Sequence, residues 1–141
     1  MAHTFHLAIP AGDLHNAIYF YCSVLGCTKG NSEINPPDAW CDINFWGNEL
    51  TLHASKCKIT SEGHNVDMGN VQVPHFGVHL DAYEFKVLKE RIIENNVKFV
   101  EEPFIRFKGG SLEQETMFIE DPNGNVLEIK TMVNPNELFN Q

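Results

Sequence analysis

The chain has 141 residues, enough for one domain or two small fused modules. At 43% hydrophobic and 11% aromatic it can bury a core, which excludes a disordered chain. The formal net charge of −9, with Lys and Arg scattered along the chain, argues against nucleic acid, and no apolar run approaches the roughly 20 residues of a membrane span.

The N-terminal MAHTFHLAIP lacks the basic-then-apolar pattern of a signal peptide, so the expectation is a soluble, cytoplasmic protein. Residues 5–9 alternate as a strand, with His6 and Ala8 on one face and Phe5, Leu7 and Ile9 on the other. Asp13 is placed to cap a helix that runs to Leu25, with Ala17, Ile18, Tyr21 and Leu25 at helical spacing and Gly26 as its stop. Residues 27–31 predict a short strand, and Asn35 to Asp38 a loop. Residues 40–45 and 49–54 predict a hairpin around Trp46-Gly47-Asn48. Residues 55–72 lack periodicity and read as a linker, and as a candidate flap over a site. The four cysteines, Cys22, Cys27, Cys41 and Cys57, form no C-x-x-C pair and read as buried free thiols.

The second half repeats this order. Residues 73–80 predict a strand, 82–96 a helix with Phe85, Leu88, Ile92 and Ile93 on its buried side, and 98–100 a short strand. FIRFKGG is irregular; residues 113–120 and 125–131 predict strands joined by Asp121-Pro122-Asn123-Gly124. The reading is a single α+β domain over residues 1–141, made of paired βαβββ modules at 4–54 and 73–132. Residues 133–141 form a tail, and the curved mixed sheet encloses a metal-binding cleft.

The repeat carries chemistry. HFGV echoes HLAI, so His75 matches His6, and GNVLEIK echoes GNELTLH, so Glu128 matches Thr51. Leu127 and Ile129 point away from Glu128, which leaves Glu128 facing the cleft. Two histidines and one carboxylate with open positions suit a divalent first-row metal: Fe2+ by geometry, with Mn2+, Ni2+, Co2+ or Zn2+ also compatible. Such a metal polarises a bidentate oxygen substrate as a Lewis acid. Arg106 and Lys108 are candidate substrate-binding cations, together with Thr51 and Phe118.

With FHLAIPAGDLHNAIYFYCSVLG, PHFGV and EDPNGNVLEI, residues 4–132 resemble the vicinal oxygen chelate superfamily of glyoxalases, bleomycin resistance proteins and extradiol dioxygenases. RFKGG before EQETMFIEDPNGN is most similar to proteins described as extradiol-dioxygenase-family or glyoxalase-related. The resemblance implies metal ligands at His6, His75 and Glu128, a small-molecule substrate and a homodimer. A fourth ligand, expected in glyoxalase I, is replaced by Thr51. The tyrosine of ring-cleaving enzymes is replaced by Phe118, and Gly109 to Ser111 hold no histidine, which leaves His53 as the candidate catalytic base. The implied activity is a metal-dependent, extradiol-dioxygenase-like reaction. The alternatives are a glyoxalase-like lyase or isomerase, a thiol transferase, or a non-catalytic small-molecule binder of the bleomycin-resistance kind.

Overall fold

In a computed structural model, residues 3–66 and 69–140 are described. They form two compact units, one comprising Met1–Ile59 with Asp121–Asn125 and the other Thr60–Glu120 with Val126–Gln141. Among the described residues no helix is long and apolar enough to cross a membrane.

The first unit opens with β1 (His6–Pro10), followed by α1 (Leu14–Ile18) and a π-helical segment (Tyr19–Val24). Asp13 starts the helix by accepting the Asn16 N–H at 2.9 Å. The sequence pattern predicts one continuous α-helix here. Of the apolar residues in that pattern, Ala17, Tyr21 and Leu25 are buried and Ile18 is half-buried, and Phe20 and Val24 are buried as well. A stripe of that spacing faces the sheet whether each turn closes on the fourth or the fifth residue, so the pattern does not distinguish the two windings. Strands β2 (Thr28–Glu33), β3 (Trp40–Phe45) and β4 (Asn48–His53) complete a sheet of order β1-β4-β3-β2. Strand β1 runs parallel to β4, and the other pairs are antiparallel. A bulge interrupts the β2–β3 ladder between Lys29 and Ser32.

Asp121–Asn125 ties into this unit through polar contacts. The Tyr21 hydroxyl donates to Asp121 Oδ2 at 2.8 Å, in a fully buried position. Asn123 and Asn125 both donate to the Pro10 carbonyl at 2.8 Å, and Lys58 Nζ donates to Asn123 Oδ1 at 2.6 Å. Gly12, at φ 69°, must lack a side chain, because a Cβ there would lie 2.8 Å from Asn123 Oδ1.

The second unit repeats the order with β7 (Phe76–His79), α2 (Ala82–Glu94), β8 (Phe99–Arg106), β9 (Gln114–Glu120) and β10 (Val126–Met132). Its sheet is β7-β10-β9-β8, with β7 parallel to β10. The paired βαβββ modules of an α+β fold are therefore present. Helix α2 is capped by Asp81, which accepts the Glu84 N–H at 2.7 Å, and it buries Phe85, Leu88 and Ile92. Ile93, placed on the buried side by the sequence pattern, is 57% exposed in the last turn of the helix. Strand β8 continues through Arg106, so Phe104, Ile105 and Arg106 of the segment read as irregular belong to an edge strand, broken in register around Glu101 and Phe104.

The stretch 55–72 is not a plain linker. It contains most of a hairpin of β5 (Glu62–Val66) and β6 (Gly69–Val73). Glu62 to Asn65 of β5 are exposed and include no large apolar residue, so the apolar alternation that signals a half-buried strand is missing there. Of the four cysteines, all read as buried, Cys27 and Cys41 are buried and Cys22 is half-buried; Cys57 is exposed on the irregular stretch after β4. Burial raises the thiol pKa of Cys22 and Cys41, which keeps both protonated.

Candidate metal centre

Side-chain alternation along β10 sends Leu127 and Ile129 into the core and Glu128 to the opposite face, as the sequence pattern predicts. Glu128 is only 3% exposed, so its charge needs partners. Three side chains supply them. The Thr116 hydroxyl donates to Oε2 at 2.6 Å, His75 Nε2 lies 3.0 Å from Oε1, and Lys130 Nζ lies 3.6 Å from Oε1. Burial alone raises the pKa of Glu128, yet His75, Thr116 and Lys130 together outweigh it and hold the carboxyl below its ordinary value.

His75 is fixed from both sides. Its Nδ1 is bonded to the Gln72 carbonyl on β6, and a carbonyl only accepts, so Nδ1 carries a proton. The bond between Nε2 and Glu128 then requires a second proton. Glu128 accordingly raises the pKa of His75 against the opposing effect of burial. The Phe118 ring stands edge-on to the imidazole with centroids 5.3 Å apart. Strand contact is close because Gly77 pairs with Glu128, and a Cβ on Gly77 would fall 1.6 Å from the Glu128 carbonyl oxygen.

His75 and Glu128 offer two of the donor types that a divalent cation takes. A histidine ligand ordinarily donates its other ring N–H to a carbonyl, which fixes the tautomer, as Gln72 does here. Two ligand bonds of about 2.1 Å meeting near a right angle separate their donor atoms by about 3.0 Å. The His75 and Glu128 atoms are 3.0 Å apart. A proton now joins them, and a cation can replace it. Among the described residues, no group of three His, Cys, Asp or Glu side chains is placed to hold a metal ion. What the structure brings together is the pair His75 and Glu128.

The first unit carries a counterpart. His6 Nδ1 lies 2.7 Å from Glu49 Oε1, with both side chains about half exposed at 56% and 49%. Glu49 stands opposite His6 in the register, two residues before Thr51, which occupies the Glu128-equivalent position. Thr51 donates to Asp42 Oδ1 at 2.7 Å. Asp42 and Glu49 also line an open cavity of about 270 Å³ with Thr4, Asn31 and Asn44. His53 shares the strand face of Thr51 and is exposed at the end of β4.

Arg106 ends β8, with its guanidinium 4.9 Å from the Phe107 ring centroid, and Lys108 follows in the exposed turn. Glu113 accepts the Gly109 N–H at 2.7 Å, and Glu115 pairs with Lys89 at 2.8 Å. Phe118, a candidate substrate contact, is 1% exposed. Sequence reasoning did not find Gln72, Thr116, Lys130 or His79. His79 ends β7 and pairs in register with Lys130. Burial first, then Lys130, holds its pKa below that of an ordinary imidazole. Alternation on β9 and β10 could have pointed to Thr116 and Lys130; a backbone carbonyl such as that of Gln72 leaves no mark in a sequence.

A repeated βαβββ unit, with a buried strand carboxylate beside a histidine that immediately precedes the strand paired with it, defines a recognisable class. The glyoxalase/bleomycin resistance protein/dioxygenase superfamily model matches residues 3–129, and the chain belongs to that superfamily. Its structure is similar to a glyoxalase/bleomycin resistance protein/dioxygenase from Alicyclobacillus acidocaldarius at 31% identity and TM-score 0.76, covering 97% of this chain and 96% of that one. The fold is shared with the fosfomycin resistance protein FosX of Listeria monocytogenes at 13% identity, TM-score 0.67 and 98% coverage of both chains. It is also shared with a virulence protein of Salmonella typhimurium at 21% identity and TM-score 0.63, covering 94% of this chain and 98% of that one. No curated protein sequence matches the chain.

Proposed function

We propose that the protein is a metal-dependent enzyme acting on a small substrate that offers two adjacent oxygens. His75 and Glu128 are metal ligands in this reading, and His6 is the third, named by the repeat. The observation that carries it is the 3.0 Å approach of His75 Nε2 to Glu128 Oε1 with Nδ1 committed to the Gln72 carbonyl. Bound there, a divalent metal supplies Lewis-acid polarisation of the substrate oxygens, and Fe2+ adds chemistry with O2.

The residues around it have separable tasks. His75 releases its Nε2 proton when it becomes a ligand. Glu128 stays ionised because Thr116 and Lys130 hold its charge. His79, neutral at a depressed pKa, can accept a proton from a substrate hydroxyl at a ring nitrogen. His53 and Arg106, Lys108 and Thr51 remain the candidate base and substrate contacts.

The reaction read first is of the extradiol-dioxygenase type. A specific observation favours a second, glyoxalase-like lyase or isomerase or thiol transferase: Phe118 stands buried beside His75 and offers no phenol for acid-base work. A FosX variant is known in complex with Mn(II) and 1S,2S-dihydroxypropylphosphonic acid, a ligand with vicinal oxygens. A homodimer in the cytoplasm completes the reading.

The test is metal content of protein purified without added metal, beside His75→Ala. One iron, manganese, nickel, cobalt or zinc per chain, lost in the variant, supports the centre. Iron directs the next assay to oxygen uptake with catechols, and another metal to glyoxalase or thiol-transfer substrates. No metal in either protein after reconstitution refutes the enzyme reading in favour of a bleomycin-resistance-type binder.

A further inference from the structure

Two cavities adjoin on the first unit, and Asn44 and Gly47 line both. One, of about 270 Å³, is walled by Asp42, Glu49, Asn31, Asn44 and Asn48, with no lysine or arginine among its lining residues. Lys29, on the neighbouring strand β2, pairs in register with Ile43, so it lies on the opposite face of the sheet from Asp42 and Asn44. Each carboxylate is anchored by one oxygen. Asp42 Oδ1 accepts the Thr51 hydroxyl, and Glu49 Oε1 lies 2.7 Å from His6 Nδ1. Among the described residues neither second oxygen is bonded. The other cavity, of about 230 Å³, is lined by Trp46, Cys27 and Thr28. Trp46 and Gly47 form the two-residue turn between β3 and β4, at φ 47° and 89°. Such turns favour Asn-Gly, and a bulky residue at positive φ is an outlier. The Trp46 ring packs edge-on against Phe45 with centroids 4.8 Å apart, which fixes it beside the cavity.

We propose that the two cavities form one site for a small primary amine with an apolar tail, its ammonium between Asp42 and Glu49 and its tail against Trp46. The site lies wholly on the first unit and does not rest on the metal reading. A protonated amine offers only donors, which matches unsatisfied carboxylate oxygens, whereas an anion would meet like charge. Asp42 and Glu49 belong to no group of three His, Cys, Asp or Glu side chains placed to hold a metal ion. The wall therefore suits a cation large enough to span the cavity. Each cavity alone is below the roughly 300 Å³ at which ordinary ligand sites begin, and side by side they exceed it. The indole gives the tail an apolar surface at the end where the carboxylates stop.

The experiment titrates isotope-labelled protein with 2-phenylethylamine at neutral pH and follows the amide chemical shifts. 2-Phenylethanol and phenylacetate, of similar shape, are the neutral and anionic controls. The expected result is saturable shifts concentrated in residues 26–31 and 42–49 with the amine, and none with either control at equal concentration. Asp42→Asn and Glu49→Gln should each weaken binding about tenfold, the loss of one charge-assisted bond. Glu120→Gln removes the same charge from the second unit and should bind as wild type, which separates the site from the pull of a net charge of −9 on any cation. Trp46→Asn keeps a residue suited to the turn and removes the ring. It should weaken 2-phenylethylamine about fivefold and leave ethylamine unchanged. If a variant does not fold, the wild-type shift map and the two controls still decide. No binding in the millimolar range, shifts concentrated elsewhere, or an equal response to 2-phenylethanol overturns the proposal. So does Glu120→Gln binding as weakly as Asp42→Asn, or Trp46→Asn weakening both amines alike.

Discussion

Replacing Gly77 with alanine tests whether strand contact sets the geometry of the candidate centre. A Cβ at Gly77 would sit 1.6 Å from the Glu128 carbonyl oxygen and 2.6 Å from its carbonyl carbon. Ordinary contact begins at 3.4 Å, so β7 and β10 must part by about 1.8 Å at this pair. Backbone cannot swing aside as a side chain tip can. Hydrogen bonds near 2.9 Å in that ladder would be stretched out of range, at about 1 kcal/mol each, on top of an overpacking cost of about 1–3 kcal/mol. The expected loss is about 3 kcal/mol or more, read by urea denaturation in the presence of a chelator. The same displacement carries Glu128 away from His75, so Mn(II) affinity should fall at least tenfold in whatever fraction folds. Gly30 is the matched control, a strand glycine whose added Cβ would meet Asp42 at an ordinary 3.4 Å. Gly30→Ala should stay within about 0.5 kcal/mol of wild type. A Gly77→Ala protein as stable as Gly30→Ala, with Mn(II) affinity intact, would refute the account.

Other outcomes follow from the same contacts. Tyr21→Phe removes the 2.8 Å bond to Asp121 and should cost about 1.5–3 kcal/mol by chemical denaturation. Burial and Asp121 raise the pKa of Tyr21 above its usual 10.0, so its contribution is present below pH 10.0 and is lost as pH climbs from there. Wild type should therefore lose stability on the alkaline side faster than Tyr21→Phe. In metal-free protein the pair His75 and Glu128 should stabilise most between about pH 4.5 and 6.5. The His75 share is complete below 6.5 and is lost as pH rises through its elevated folded pKa; the Glu128 share is complete above 4.5 and is lost as pH falls through its depressed one. Stability of Glu128→Gln measured across that range should lack the maximum. A thiol reagent should modify Cys57 first in native protein, with Cys27 and Cys41 reacting only on unfolding, and mass spectrometry of the labelled peptides reads the order.

The repeat was visible in the sequence because it is written in apolar alternation and in turns. HLAI against HFGV and GNELTLH against GNVLEIK mark the strands that pair in parallel in each unit. The placing of Glu128 on the face opposite Leu127 and Ile129 followed from strand alternation, whereas its burial did not. Less visible were features that leave no periodic trace. Glu62, Gly63, His64 and Asn65 of β5 are exposed and show no apolar alternation, so the pattern of that strand does not announce its pairing with β6. The partners that fix His75 and Glu128 include one backbone carbonyl and one threonine that a pattern reads as an ordinary strand residue. The pairing of His6 with Glu49 was missed because the repeat directed attention to Thr51, whereas the register sets Glu49 opposite His6.

Asp121–Asn125 connects β9 to β10 of the second unit, yet it packs with the first. A protein of two like halves invites the thought that either half was once, or could be made, a free-standing peptide. Here the division by sequence and the division by packing do not coincide. A peptide ending near Ile59 would lack Asp121, and Tyr21 would be left with a buried hydroxyl and no acceptor. It would also lack Asn123 and Asn125, both donors to the Pro10 carbonyl. Exchanging halves between homologues therefore means carrying five residues across the cut, and a permuted chain should be opened elsewhere than at this turn.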